Sequence, residues 1–310
     1  MKLKGATKSS LRSFDLERRE ILLAEEKSVS FVFIGEEKRI KHFVEVRFFP
    51  GQAIEYLYNV RSRRFLEKQL PLAKNSLKSL NNQTNKNFEI VVFTHPTFFD
   101  NPKYEFIFKE FKQTTTLPIT FVKSDKMDDL LKRALDEYEF VIQSRMDFDD
   151  FIYKDAVADT QSKVSKFENI LSYGYCKGYS YLDGELLPHY YPFDGIGHLG
   201  IFQSLIVRSS FAKKLPLFTP YFGSHNKIKD ALKKFLTQNG VEFSENMFLQ
   251  NLSTNAYIYF RHEFAHFLLT TGKMNPTVES QKENKLTAAD ITKQHLKEEF
   301  GFDLKLNSIK

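Results

Sequence analysis

The run Ser144-Arg145-Met146-Asp147-Phe148-Asp149-Asp150 sets three carboxylates beside one another in the chain, next to an arginine. Mg²⁺ and Mn²⁺ are hard cations that take oxygen ligands, commonly one or two carboxylates completed by phosphate oxygens and water. A metal in such a place offsets the charge that grows on a departing diphosphate. The bland alternative is a solvated acidic turn that caps the next helix. A second constellation is His262-Glu263-Phe264-Ala265-His266. On a helix, histidines at i and i+4 share a face and can bind Zn²⁺, with the intervening Glu as general base.

The two patterns imply different chemistries, phosphate-linked transfer and zinc peptidase hydrolysis. The run Ala256-Tyr257-Ile258-Tyr259-Phe260 before the histidines alternates and is rich in β-formers, which puts the motif at a strand exit rather than inside a helix. A zinc site also needs a third ligand. Glu279, Glu283 and His295 lie downstream, in polar or terminal segments. The peptidase reading leaves the aspartate run without a role.

The elements that must position the aspartates form an alternating series. Strand patterns occur at His42–Phe49, Phe88–Phe93, Ile119–Val122 and Phe140–Ser144, each rich in β-branched and aromatic residues. Helical periodicity occupies about Asn59–Asn82, Pro102–Lys112 and Met127–Tyr138. Asp128 and Asp129 stand in the first turn of the last, where the helix dipole favours carboxylates. Short apolar strands alternating with helices predict a parallel sheet covered on both faces, with its ligand site beyond the carboxyl ends of the strands. The aspartate run follows Phe140–Ser144 directly and so falls at that edge.

Elsewhere the pattern is weaker. A charged helix over about Phe14–Glu26 and a strand at Ser28–Ile34 precede the series. A helix near Tyr153–Lys166 leads into an irregular, aromatic and glycine-containing region, Tyr173–Gly200. Helices are expected near Asn226–Thr237 and Glu245–Asn251, a strand at Ala256–Phe260, a polar linker at 273–286 and a last helix at about Ala288–Phe300. The expected organisation is an extension at 1–40, a nucleotide-sugar-binding α/β half at 41–165, an acceptor-binding half at 166–272, and a linker with a C-terminal helix at 273–310.

The segment Val141–Ile152 resembles the TRLDxDD signature of the rhamnosyltransferase family of GT-A-fold glycosyltransferases. His42-Phe43-Val44-Glu45-Val46-Arg47-Phe48 resembles that family's first strand, which ends in an Arg-Phe pair. Ser76–Thr84 resembles the SL–QT helix end of GT-A enzymes, and Phe88–Val92 the strand that follows. The likeness covers residues 40–165 well and 170–270 loosely. It implies a Rossmann-like α/β fold with a mostly parallel central sheet flanked by helices. It also implies an inverting sugar transfer from a nucleotide-activated donor to a glycan or lipid-linked acceptor of a bacterial surface polysaccharide, capsule or lipopolysaccharide, with Mn²⁺ or Mg²⁺.

In that frame Asp149 is the foremost metal ligand. Asp147 contacts the ribose or the metal, and Asp150 supports the site or the donor sugar. Arg47 and Arg145 offset phosphate charge. Phe148 departs from the family, which often has a small polar residue there. Lys68 stands where the family has an arginine, and Arg61, Arg63 and Arg64 lie near, with Arg64 taken as the donor contact. His262, with His266 behind it, becomes a metal or diphosphate ligand after the last strand. His225 is a further diphosphate or acceptor contact, unless Ser224 or Asn226 simply caps a helix. An inverting transfer needs a base for the acceptor hydroxyl, and Asp194, Asp230 and Glu245 are the candidates. Tyr173, Tyr175, Tyr179, Tyr181, Tyr190 and Tyr191 offer either stacking faces for sugars or ordinary packing. A glycosyltransferase-like binding module without catalysis is the remaining reading.

Composition sets outer bounds. The 310 residues carry a formal net charge of +6, which favours anionic partners such as nucleotides and phosphates. The basic residues are dispersed, so nucleic acid is not an expected partner. A single cysteine, Cys176, precludes a disulfide within the chain and reads as a small buried apolar group. No apolar run is long enough to span a membrane, and the basic N-terminus lacks a signal-peptide core. A cytoplasmic protein, with peripheral association at the inner face of the membrane, is the expectation.

Overall fold

The computed structural model describes residues 39–48, 67, 69–182, 185–190, 201–220, 228–260 and 293–301. The chain divides into two units, residues 1–38 and 39–310, and every element described belongs to the second. The helix and strand expected before residue 39 lie outside the described residues.

Four strands form the parallel part of the sheet: β1 (Ile40–Arg47), β2 (Glu89–Thr94), β3 (Ile119–Lys123) and β4 (Phe140–Asp147), in the order β3-β2-β1-β4. Helix α1 (69–81) joins β1 to β2, and α2 (Glu105–Thr114) joins β2 to β3. Both cover one face, where Leu70, Leu77, Leu80, Ile107 and Phe111 pack against Val44, Val46, Ile90 and Val92. Helix α3 (Met127–Glu137) carries the chain from β3 past two strands to the other side of β1. A right-handed crossover in that reversed direction must lie on the opposite face. There Met127, Leu131, Ala134 and Leu135 meet Phe43, Val91 and Val141. β1, β2 and β4 are buried on both faces while the edge strand β3 is half-buried throughout, and burying such apolar side chains contributes about 1.5–3 kcal/mol apiece.

Beyond β4 the sheet becomes mixed. β8 (Ser204–Arg208) runs antiparallel to β4, and β6 (Ile170–Leu182) antiparallel to β8. β9 (Phe248–Phe260) runs parallel to β6, and the two-residue β5 (Phe151–Ile152) pairs with β9. β7 (Glu185–Tyr190) folds back on β6 as a hairpin. Helix α4 (Ala156–Ser162) follows β5, α5 (Ile228–Gln238) covers the α3 face, and α6 (Lys293–Phe300) packs Leu296 and Phe300 on the α1 face.

Two expectations for the second half are corrected. The stretch from Tyr173 is a long strand, not an irregular region. Tyr173, Tyr175, Tyr179 and Tyr181 alternate with small residues on β6, and the period is hidden by shifts of register around Lys177. Gly178 belongs to this pattern, because a Cβ there would collide with the carbonyl and ring of Tyr257 on β9. The helix expected at Glu245–Asn251 is only a 3₁₀ turn, Glu245–Met247, before β9 begins. Pairing with β6 overrides the local helical pattern, as tertiary context often does.

Candidate active site

Strand order fixes where a ligand crevice can lie. The chain leaves β1 toward β2 on one side, and β4 later adds on the other side, so the order reverses between β1 and β4. The last register pair of these two strands is Arg47 and Asp147. Arg47 Nη2 donates to Asp147 Oδ2 at 2.9 Å and lies 2.8 Å from Oδ1. Arg145 Nη2 approaches Asp147 Oδ2 at 3.8 Å, and its own side chain is nearly buried. Arg47 and Asp147 are partly exposed, so the pair faces the crevice.

The turn after β4 is held from both ends. The Asp150 amide donates to the Asp147 carbonyl at 3.2 Å. Phe151 then enters β5 and pairs with Ile258 of β9. Between the two aspartates that flank it, Phe148 packs edge-on against Phe48, with ring centroids 5.2 Å apart. The apolar residue at this place is thus an anchor that pins the turn to the core.

Asp150 is buried. Burial, then the charges of Asp149 and Asp147, push its carboxyl well above the usual range, against the pull of Arg145 and Arg47. Its Oδ1 has no hydrogen-bond partner. An orphaned buried carboxyl oxygen beside two further carboxylates suits a hard cation. No preformed cage of three side-chain ligands exists among the described residues.

Behind the turn, β4 is tied to its neighbours by buried polar groups that sequence reading missed. Ser144 Oγ bonds His42 Nε2 at 2.7 Å and Ser204 Oγ at 2.6 Å. Gln161 of α4 reaches His42 Nδ1 at 3.3 Å and donates to the Asn87 carbonyl at 2.8 Å. Burial pushes the His42 imidazole down to about 3. On the opposite face Glu45 is buried in register with Arg145, and burial pushes its carboxyl up to about 8. The signal was present: polar residues in a strand too apolar to show one solvated face.

The other expected residues are distributed as follows. Asp230 lies in the first turn of α5, and Glu245 pairs with Lys229 at 2.6 Å while mostly exposed. Glu245 immediately precedes β9, whose Phe248 is level with Ser172, hence with Leu205 and Gln143. The chain enters β9 from the end of the sheet opposite Asp147, so neither Asp230 nor Glu245 is brought to the aspartates. Arg64, Asp194, His225, His262 and His266 lie outside the described residues. His295 is exposed on α6. The tyrosines of β6 are packing residues: Tyr173 and Tyr175 are buried and donate to Asp159 Oδ2 at 2.5 and 2.8 Å. Burial alone would raise the Asp159 carboxyl, but Lys163, Tyr173 and Tyr175 together hold it below its usual value. Cys176 is buried, which pushes its thiol up to about 12.

Residues 52–187 match the family model described as "Putative rhamnosyl transferase". The matched span holds α1 through β6 and contains the whole aspartate turn. The resemblance read from the sequence is borne out over that span, which is less than half of the chain, and the observed sheet with flanking helices is of the α/β class that the resemblance implies. Among solved structures, a TarS fragment from S. aureus (residues 1–349) aligns at 15% identity and a TM-score of 0.38, over 71% of this chain and 60% of that one. The longer TarS chain aligns at 16% identity and a TM-score of 0.41, over 83% of this chain and 43% of that one. The present chain thus spans less than two thirds of either TarS chain. The mannosyltransferase PcManGT from Pyrobaculum calidifontis, solved with GDP-Man and Mn²⁺, aligns at 10% identity and a TM-score of 0.44, over 86% of this chain and 75% of that one. No curated protein matches the chain. No helix among the described residues is long and apolar enough to cross a membrane.

Proposed function

We propose that this chain transfers a sugar from a nucleoside-diphosphate donor to a hydroxyl of a glycan or lipid-linked glycan, with inversion at the anomeric carbon. The observation that carries the reading is the Arg47–Asp147 pair at the strand-order reversal, continued by a pinned turn with the buried carboxyl of Asp150. Asp149, with Asp147 or Asp150, would hold Mn²⁺ or Mg²⁺. When bound, that cation offsets charge developing on the diphosphate. Arg47 and Arg145 bring fixed positive charge to the same place and orient the phosphates. Phe148 keeps the turn in one conformation, so little reorganisation accompanies donor binding.

The base that deprotonates the acceptor hydroxyl must stand on the open side of the donor. Of the three candidates, Asp194 is the one we retain, because Asp230 and Glu245 sit toward the other end of the sheet. The family's name points to a deoxyhexosyl donor such as dTDP-rhamnose. We place the acceptor in bacterial surface polysaccharide synthesis, a cytoplasmic reaction that works at the inner membrane face when the acceptor is lipid-linked.

The test is sugar release or transfer from nucleoside-diphosphate sugars with Mn²⁺ or Mg²⁺. Wild type is expected to turn over at least one donor, and Asp149→Ala to lose a hundredfold or more of kcat/KM while remaining folded. Full activity in Asp149→Ala would refute the assignment.

A further inference from the structure

We propose that the ring of Phe148 is the stacking face for the nucleobase of the donor, so that neighbouring residues of the aspartate turn hold the phosphates and the base. This rests on the reading of that turn as the donor site.

The register of the strands divides the edge of the crevice into two sides. Arg47 and Asp147 are partners on β1 and β4, and successive side chains leave a strand on opposite faces. The charged pair stands on the α3 face, with Arg145 two positions earlier on the same side and 3.8 Å from Asp147. Phe48 and Phe148 come next along the two chains and fall on the α1 face, where their ring centroids lie 5.2 Å apart. The crevice thus has a charged side and an aromatic side, one residue apart.

The two sides suit different parts of a nucleotide. Phosphates and a cation belong with Arg47 and Asp147. On the aromatic side Phe48 is buried, and Phe111 and Phe98 stand edge-on to it at 5.1 and 6.1 Å. These rings fix Phe148 from behind, while Phe148 itself stays half-exposed between Asp147 and Asp149. A ring already held in place loses little freedom when a flat partner stacks on it. The base is the flat, uncharged part of a nucleoside diphosphate, and the ribose ties it to the phosphates at short range. A hexose on this side would bring a rim of hydroxyls to phenyl rings that cannot accept or donate hydrogen bonds to them. An aromatic residue within the aspartate run, where the resembling family often has a small polar one, therefore has a use beyond packing.

The experiment is calorimetric titration of the purified 310-residue chain with dTDP, UDP, GDP, dTDP-rhamnose and inorganic pyrophosphate, each with Mn²⁺, for wild type, Phe148→Leu and Phe148→Tyr. Leucine keeps an apolar anchor without a ring, and tyrosine keeps the ring. Stacking one base on an aromatic side chain changes affinity by roughly 5- to 150-fold. Phe148→Leu is expected to weaken the best nucleotide about tenfold and to leave pyrophosphate within about twofold of wild type. Phe148→Tyr is expected to stay within about threefold of wild type for both. The sequence contains no tryptophan, so Phe148→Trp introduces a single indole. Its fluorescence should be quenched by the nucleotide and not by pyrophosphate, a readout that holds even where the leucine variant fails to fold. Equal loss of nucleotide and pyrophosphate in Phe148→Leu would overturn the proposal, because the ring would then act only by pinning the turn. So would an indole that does not respond to nucleotide, or a loss that appears with dTDP-rhamnose and not with dTDP, which would assign the ring to the sugar. If wild type binds neither nucleotide nor pyrophosphate, the donor-site reading fails and this proposal falls with it; normal wild-type binding that is unchanged in Phe148→Leu removes this proposal alone.

Discussion

Two buried titratable groups on β1, three positions apart, should tilt the stability curve in opposite directions. Burial lowers His42 from 6.5 to about 3 and raises Glu45 from 4.5 to about 8. Each pH unit between the folded and unfolded values is worth roughly 1.4 kcal/mol. For His42 the unfolded chain binds the extra proton, so its contribution is complete above pH 6.5 and is lost as the pH falls toward 3. For Glu45 the folded chain keeps the extra proton, so its contribution is complete below pH 4.5 and is lost as the pH rises through 8. Each reaches about 5 kcal/mol at its limit. Between pH 4.5 and 6.5 the two slopes offset each other, giving a plateau, with stability declining on both sides.

Glu45→Gln removes one slope and leaves the other. Urea unfolding at half-unit steps from pH 4.5 to 8.5 should show the variant gaining on wild type by about 1.4 kcal/mol per pH unit, levelling off near pH 8. The difference between the two proteins cancels the other titrating groups. Parallel curves for the two proteins would refute the reasoning: Glu45 would then ionise at its ordinary pH despite its burial.

Three further outcomes follow from the geometry. Arg47→Lys keeps the charge but loses the planar fork beside Asp147, and should weaken nucleotide binding by roughly tenfold in calorimetric titration, with little change in melting temperature. Gly178→Ala forces a methyl group into the Tyr257 carbonyl and should cost about 1–3 kcal/mol in urea unfolding, since the obstructing group is backbone as well as ring and cannot turn aside. Tyr173→Phe removes a donor from Asp159 and should cost about 1–2 kcal/mol at pH 7. Because that bond helps hold the Asp159 carboxyl low, its share is present above the ordinary value of 3.8 and lost as the pH falls below it, so wild type and variant should converge in acid.

The parallel half of the fold was legible because its signals were redundant. β1 to β4 are short runs rich in β-branched and aromatic residues, and the helices between them keep a helical period. The aspartate turn was legible for a related reason: it begins where an apolar strand stops, and strand ends on one side of a parallel sheet are where such folds place ligands. Phe148 looked like a departure, yet its contact with Phe48 explains it, a contact between residues 48 and 148 that no local pattern carries. The second half was read less well because β6 and β9 stabilise each other across a long sequence separation. Bulges near Lys177 break the alternation in one, and polar Asn251, Ser253 and Asn255 mask it in the other. Glu45 and His42 escaped attention because a strand buried on both faces gives no solvent side against which a polar residue stands out.

The clasp at α6 bears on the order of assembly during synthesis. The Lys154 amide donates to the Glu299 carbonyl at 2.7 Å, Asn82 Nδ2 donates to the Glu298 carbonyl at 3.0 Å, and Phe300 sits edge-on to Tyr179. Lys154 is four positions past Asp150, and β5 in between is held by β9. A nascent chain can therefore form β1 to β4 early, while the far wall of the aspartate turn waits for residues 248–300 to leave the ribosome. Until then the carboxylates are present without the strand and helix that confine them, so the ability to bind donor should arrive late, as a single step, with the closing of the last helix.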